Sequence, residues 1–177
     1  MKRMNIFRSV ALSVVLASSV AAQTGAQRPA GAAHAEAVRR VPAFEPVRVD
    51  KRLVDEFQKA WVLSKNGTSD REAVVLIFRT AAGSYTGRTL AITNEQAHLT
   101  FRMDPAAIAI AHTHPNHCDP APSKDDRQLA DRLRVPIITI TKSGMFVYDP
   151  AAKRVRKVQD GLGWLNSSNF FYTSTQP

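Results

Sequence analysis

The stretch Ile108-Ala109-Ile110-Ala111-His112-Thr113-His114-Pro115 decides how this chain is read. Its apolar half is short and carries β-branched residues at alternate places, which suits a buried strand better than a helix. The two histidines that follow are spaced i and i+2, so on an extended strand end both rings point to one face. Asn116 to Pro122 is then a proline-rich loop, and Ser123 begins a helix that runs through Leu133. Asp126 falls in the first turn of that helix, where a carboxylate can face back across the loop toward the strand end. Two imidazole nitrogens, one carboxylate oxygen and a water make a tetrahedral zinc site with an open position. Taken singly, His-x-His is also an ordinary surface pair, and Ser-x-x-Asp is also an ordinary helix cap. Their convergence at the mouth of one buried strand is what points to a site.

Working outward, Val49 to Leu63 repeats Leu53, Val54, Phe57, Ala60 and Trp61 at helical spacing and predicts an amphipathic helix. Lys65 to Asp70 is a loop by composition. Glu72 opens the apolar run Ala73 to Phe78, a second buried strand, and after a turn at Gly83 the segment Tyr85 to Ile92 predicts its hairpin partner. Thr93 to Met103 is ambiguous, with a helix as one reading. Pro136 to Thr141 and Met145 to Tyr148, joined around Ser143-Gly144, close the core as two more strands. The expected class is mixed α/β, one main sheet with helices packed against it. The expected division is a leader at 1–22, a flexible Ala-, Gly- and Pro-rich spacer at 23–48, a domain at 49–158, and a tail at 159–177 that packs on the domain or on a partner.

His112-x-His114-Pro115 followed by Ser123-x-x-Asp126 resembles the JAMM signature of the JAB/MPN zinc metalloproteases, and the closest similarity is to bacterial RadC-like JAB domains. The likeness extends to an acid opening an apolar strand, here Glu72 before Ala73 to Phe78, and to Asp119-Pro120-Ala121-Pro122-Ser123; it covers about Arg71 to Tyr148. It implies a curved, mainly antiparallel sheet flanked by helices in a cytidine-deaminase-like layering. It also implies Zn2+ on His112, His114 and Asp126, with Glu72 as the base for water at the zinc and Ser123 steadying the developing oxyanion. Glu56 and Glu95 are less well placed for the base. The loop between His114 and Ser123 is one residue longer than the family norm and carries His117 and Cys118. The extra residue leaves Asp125 beside Asp126 as a candidate ligand, although the Ser-x-x-Asp spacing favours Asp126. Other zinc chemistries fit poorly. A metallo-β-lactamase needs an Asp where Asn116 stands and later histidines, and none follows His117; a zinc deaminase needs a second cysteine, and Cys118 stands alone.

Lys2, Arg3 and Arg8 precede an uncharged, mostly apolar run from Ser9 to Ala22, with small residues at Ser19 and Ala21. That order is the order of a signal peptide, cut after Ala21 or Ala22, and the run is short of the roughly 20 residues that span a bilayer. The protein is therefore expected in the periplasm or outside the cell, without a transmembrane helix once mature. A single cysteine then means no internal disulfide. The formal charge of +9 falls by the three leader cations to +6, much of it at Arg39, Arg40, Arg48, Lys51, Arg52 and at Lys153, Arg154, Arg156, Lys157. With export, an anionic envelope polymer is a more natural partner for those cations than nucleic acid, and a plainly solvated basic face serves as well. The function expected is an exported metallopeptidase that hydrolyses amide or isopeptide bonds of a substrate outside the cytoplasm. The alternatives are a non-catalytic binding or scaffolding module of the same fold, and a RadC-like nucleic-acid-associated protein.

Overall fold

The computed structural model describes residues 11–15, 51–90 and 98–166. The rest of the expected leader, the whole expected spacer, Glu95 and most of the expected tail lie outside the described residues. The elements follow in the order β1 (Ala11–Val15), α1 (Lys51–Leu63), β2 (Val74–Arg79), β3 (Tyr85–Thr89), β4 (His98–Arg102), β5 (Ala109–Thr113), α2 (Lys124–Leu133), β6 (Ile137–Thr141), β7 (Gly144–Asp149) and β8 (Arg154–Asp160). Among the described residues these make a mixed α/β fold with two α-helices and one six-stranded sheet in the order β3-β2-β5-β6-β7-β8. Every neighbouring pair in that sheet is antiparallel except β5–β6. A small second sheet pairs β1 with β4 in parallel. No helix of the described residues is long and apolar enough to cross a membrane.

The strands alternate between two apolar layers. Val75, Ile77, Ala109, Ala111, Ile138, Ile140 and Met145 face α1, where Leu53, Phe57, Ala60 and Trp61 cover them. Val74, Leu76, Ile110 and Ile137 face the other way, against Leu129 and Ala130 of α2 and Phe101 of β4. A strand buried on both faces reads as an unbroken apolar run, which is why Ala73 to Phe78 shows no alternation. The approach of α1 is close. A Cβ on Gly87 would stand 2.9 Å from Leu53 Cδ1 and 2.9 Å from Val75 Cγ1.

The structure departs from or adds to the sequence reading in three places. The ambiguous segment Thr93 to Met103 contributes a strand, β4, and Phe101 is buried in the α2-side core. The basic run beginning at Lys153, given no element by the sequence, forms edge strand β8, which ends at Asp160. The hairpin partner ends at Thr89, short of Ile92. The chain after β8 then folds back on the α1 side: Leu165 is buried, and the Trp164 ring meets Phe57 edge-on with centroids 6.0 Å apart.

Candidate metal centre

The parity of the sheet places the site. Ile110 faces α2, so His112, two residues on, faces α2 as well; Val74 shares that face, so Glu72 does too. The β2–β5 register pairs Val74 with His112. It is locked just past the ladder by Thr113 N–H donating to Ala73 O at 3.0 Å and Ala73 N–H donating to Thr113 Oγ1 at 2.9 Å. This lock brings Glu72 beside the histidines although 40 residues separate it from His112. From the other side, α2 begins with Ser123 as its N-cap. Ser123 Oγ accepts from Asp126 N–H at 3.2 Å, and Asp126 Oδ2 accepts from Ser123 N–H at 2.7 Å. A cap of this kind stabilises by about 1 kcal/mol, and it also fixes the Asp126 carboxylate in one orientation.

Glu72 (5% exposed), His112 (1%), His114 (5%) and Asp126 (1%) are all buried. Both imidazoles are anchored through Nδ1. That of His112 meets Glu72 Oε2 at 3.0 Å, and that of His114 meets the Asp119 carbonyl oxygen at 2.7 Å. A carbonyl only accepts, so His114 donates through Nδ1, and its Nε2 edge is turned toward Asp126. The two Nε2 atoms point at one carboxylate: His112 Nε2 is 3.5 Å from Asp126 Oδ1, and His114 Nε2 is 3.8 Å from Asp126 Oδ2. Asp125, the other candidate ligand, is half-buried in the first turn of α2, and Asp126 is the acid facing both rings.

Electrostatics couples these groups. Burial alone would lower the pKa of His112, but the charges of Asp126 and Glu72 reverse that and raise it to about 9. Burial likewise works to raise the pKa of Asp126. The His112 charge, with hydrogen bonds from His114 and Ser123, outweighs it and holds the carboxyl well below the usual range. Without a metal, these charges favour a protonated His112 ring lying between the Glu72 and Asp126 carboxylates, 3.0 Å and 3.5 Å away.

Three buried polar atoms of this cluster have no hydrogen-bond partner among the described residues: Glu72 Oε1, His112 Nε2 and Asp126 Oδ1. A buried polar atom without a partner is costly, and a bound cation is one way to satisfy such atoms. One ligand atom each from Glu72, His112 and His114 lie within 4.8 Å of one another, so this buried group could hold a metal ion.

The other residues singled out in the sequence are not among the side chains grouped closely enough to hold an ion. His117 is exposed and sits 3.6 Å from Asp70, away from the two buried rings. Cys118 is half-buried, and burial together with the Glu72 and Asp70 charges pushes its thiol pKa up. Glu56 buckles α1 to β3, its Oε2 accepting from Thr89 N–H at 2.7 Å, and takes no part in the site. Sequence reading missed the Asp119 carbonyl and the Thr113 lock. Main-chain acceptors leave no mark in a sequence, although the Thr between the two histidines was visible. No protein-family model matches the chain, and no curated protein or solved structure matches it either.

Proposed function

We propose that this chain is an exported zinc-dependent hydrolase of amide or isopeptide bonds, of the JAMM type that His112-x-His114-Pro115 and Ser123-x-x-Asp126 resemble. The observation that carries the reading is the set of unpartnered buried atoms beside two histidines already turned to present Nε2. His112 Nε2, His114 Nε2 and Asp126 would hold the ion, an N2O donor set that suits zinc and leaves a position open. Zinc bound there supplies Lewis acidity and lowers the pKa of water to about 7.

The chain's own residues do the rest. Glu72 keeps His112 in its tautomer through Oε2, while its unpartnered Oε1 is available as the base. It takes a proton from the attacking water and delivers it to the leaving nitrogen. The Ser123 oxygen accepts from Asp126 N–H, which leaves its hydroxyl proton free to donate to the carbonyl oxygen of the scissile bond. Burial of the cluster excludes bulk water and strengthens each of these contacts. The leader-like N-terminal run supports a substrate outside the cytoplasm, such as a peptide cross-link of the envelope. The exposed Arg154 and Arg156 of β8 suit an anionic polymer as a further partner.

One observation favours a second reading. Glu72 is itself near enough to both histidines to serve as a ligand, which would close the site and make the chain a metal-binding module without hydrolysis. Metal analysis of the purified protein and of Glu72→Gln separates the two. One zinc per chain in both, with hydrolysis of isopeptide-linked peptides only in the wild type, supports the hydrolase. Loss of zinc in Glu72→Gln supports the closed module. Unchanged zinc content in a His112→Ala/His114→Ala double variant refutes both.

A further inference from the structure

The lengthened loop after His114 is tied to the far end of α1 in an unusual way. Lys65, Asn66 and Gly67 all have left-handed backbone, with φ of 52°, 56° and 70°. Two of the three are not glycine, and such conformations persist where the surroundings impose them, often at functional sites. The turn aims successive carbonyls at one residue of the metal-site loop. Asn116 N–H donates to Gly67 O at 2.7 Å, and Asn116 Nδ2 donates to Asn66 O at 3.0 Å. The fit is close, since a Cβ on Gly67 would stand 2.8 Å from Asn116 Oδ1 and 2.8 Å from the Trp61 ring.

Asn116 is two residues from His114, and the loop it anchors curls back on that histidine. Cys118 N–H donates to Pro115 O at 3.0 Å, and the Asp119 carbonyl then receives the His114 Nδ1 proton at 2.7 Å. The far end of the loop is held separately, by Thr139 Oγ1–H donating to Pro120 O at 2.6 Å. Asn116 is thus the near-side anchor of the arc that presents the Asp119 carbonyl.

We propose that Asn116, clasped by the left-handed Lys65-Asn66-Gly67 turn, is a positioning residue that fixes the tautomer and orientation of His114. The clasp acts through the loop, since it keeps the Asp119 carbonyl against Nδ1 and so keeps the Nε2 edge of the ring turned toward Asp126. The proposal rests on the reading of His114 as a metal ligand, but its central claim concerns the imidazole itself and holds in the metal-free protein.

The test uses Asn116→Asp, which is nearly isosteric but turns an acceptor toward the Asn66 carbonyl, and Asn116→Ala, which removes only the side-chain bond. Ring 15N–1H correlations of the full-length, metal-free protein should show the Nδ1–H of His114, held on the Asp119 carbonyl, as a slowly exchanging proton in the wild type. In both variants that proton should exchange faster and the His114 ring shifts should move, while His112, held by Glu72, stays unchanged as an internal control. Zinc affinity, measured by chelator competition, should weaken about 10- to 100-fold, as when an outer partner of a ligating histidine is lost. Should Asn116→Asp fail to fold, Asn116→Ala alone decides. Unchanged His114 ring shifts in a folded variant overturn the proposal. A wild type that takes up no zinc, with His114 shifts that still move in the variants, supports the positioning role and refutes the hydrolase instead.

Discussion

Zinc uptake should depend steeply on pH in a range where most histidine sites are already saturated. In the metal-free protein His112 has a pKa of about 9, because Asp126 and Glu72 outweigh its burial. Only the neutral ring offers a lone pair at Nε2, so binding must displace that proton. The neutral fraction is about 1% at pH 7 and about 24% at pH 8.5, which gives a rise in affinity of about 25-fold between them. A histidine with an ordinary pKa of about 6.5 would give a change of only about 1.3-fold over the same interval. The perturbation is therefore pH alone, and the assay is competition against a chelator whose own pH dependence is known. Calorimetry in two buffers of different ionisation enthalpy should show about one proton released per zinc at pH 7. A rise of less than about twofold, with no proton release, would refute the coupling of His112 to the two carboxylates.

Three further outcomes follow from the same geometry. The raised pKa of His112 means that its contribution to the stability of the metal-free protein is complete below its unfolded value near 6.5 and is lost as pH rises through about 9. Thermal melts in chelator should therefore drop across pH 6.5 to 9, by an amount on the order of 3 kcal/mol, and zinc-loaded melts should not. Cys118→Ser should leave zinc affinity within about twofold, because the sulfur is not among the side chains grouped closely enough to hold an ion; a large loss would show that the sulfur caps the metal. Leu129→Ala in α2, which empties a fully buried position, should cost about 2–5 kcal/mol by chemical denaturation, and a cost near zero would mean that α2 is not packed on the sheet.

The parts of the fold that the sequence announces are those whose local pattern and tertiary role agree. The run Ala73 to Phe78 and the alternation from Ile108 to Ala111 both lie at the centre of the sheet, where burial leaves little freedom of residue choice. Leu53, Val54, Phe57, Ala60 and Trp61 mark the buried face of α1 for the same reason. β8 escaped notice because an edge strand needs few apolar residues, and Arg154, Arg156 and Lys157 are exposed there. β4 escaped because its segment shows neither periodicity clearly. At the site, His112, His114 and Asp126 were legible from spacing and Glu72 only through the family resemblance, and the structure places all four near one another. Ser-x-x-Asp had two competing readings, and both hold: the Ser123 cap is the contact that aims Asp126 at the histidines. The role of Asn116 was not legible, since it depends on a left-handed turn 50 residues away.

The one parallel pair of the main sheet, β5 beside β6, has a consequence of another kind. Parallel neighbours cannot be joined by a tight turn, so the chain leaves β5, crosses through α2 and returns. An ion shared by His112, His114 and Asp126 would tie the start of that crossover to its middle, closing a loop of about 15 residues. A covalent link over that length is worth about 3 kcal/mol in lost freedom of the unfolded chain. A protein with a single cysteine has no disulfide to offer, and the metal would act as its removable staple. Stripping the ion would then loosen Pro115 to Pro122 and the first turn of α2 before the sheet itself, and that segment would be the first to exchange its amides or admit a protease.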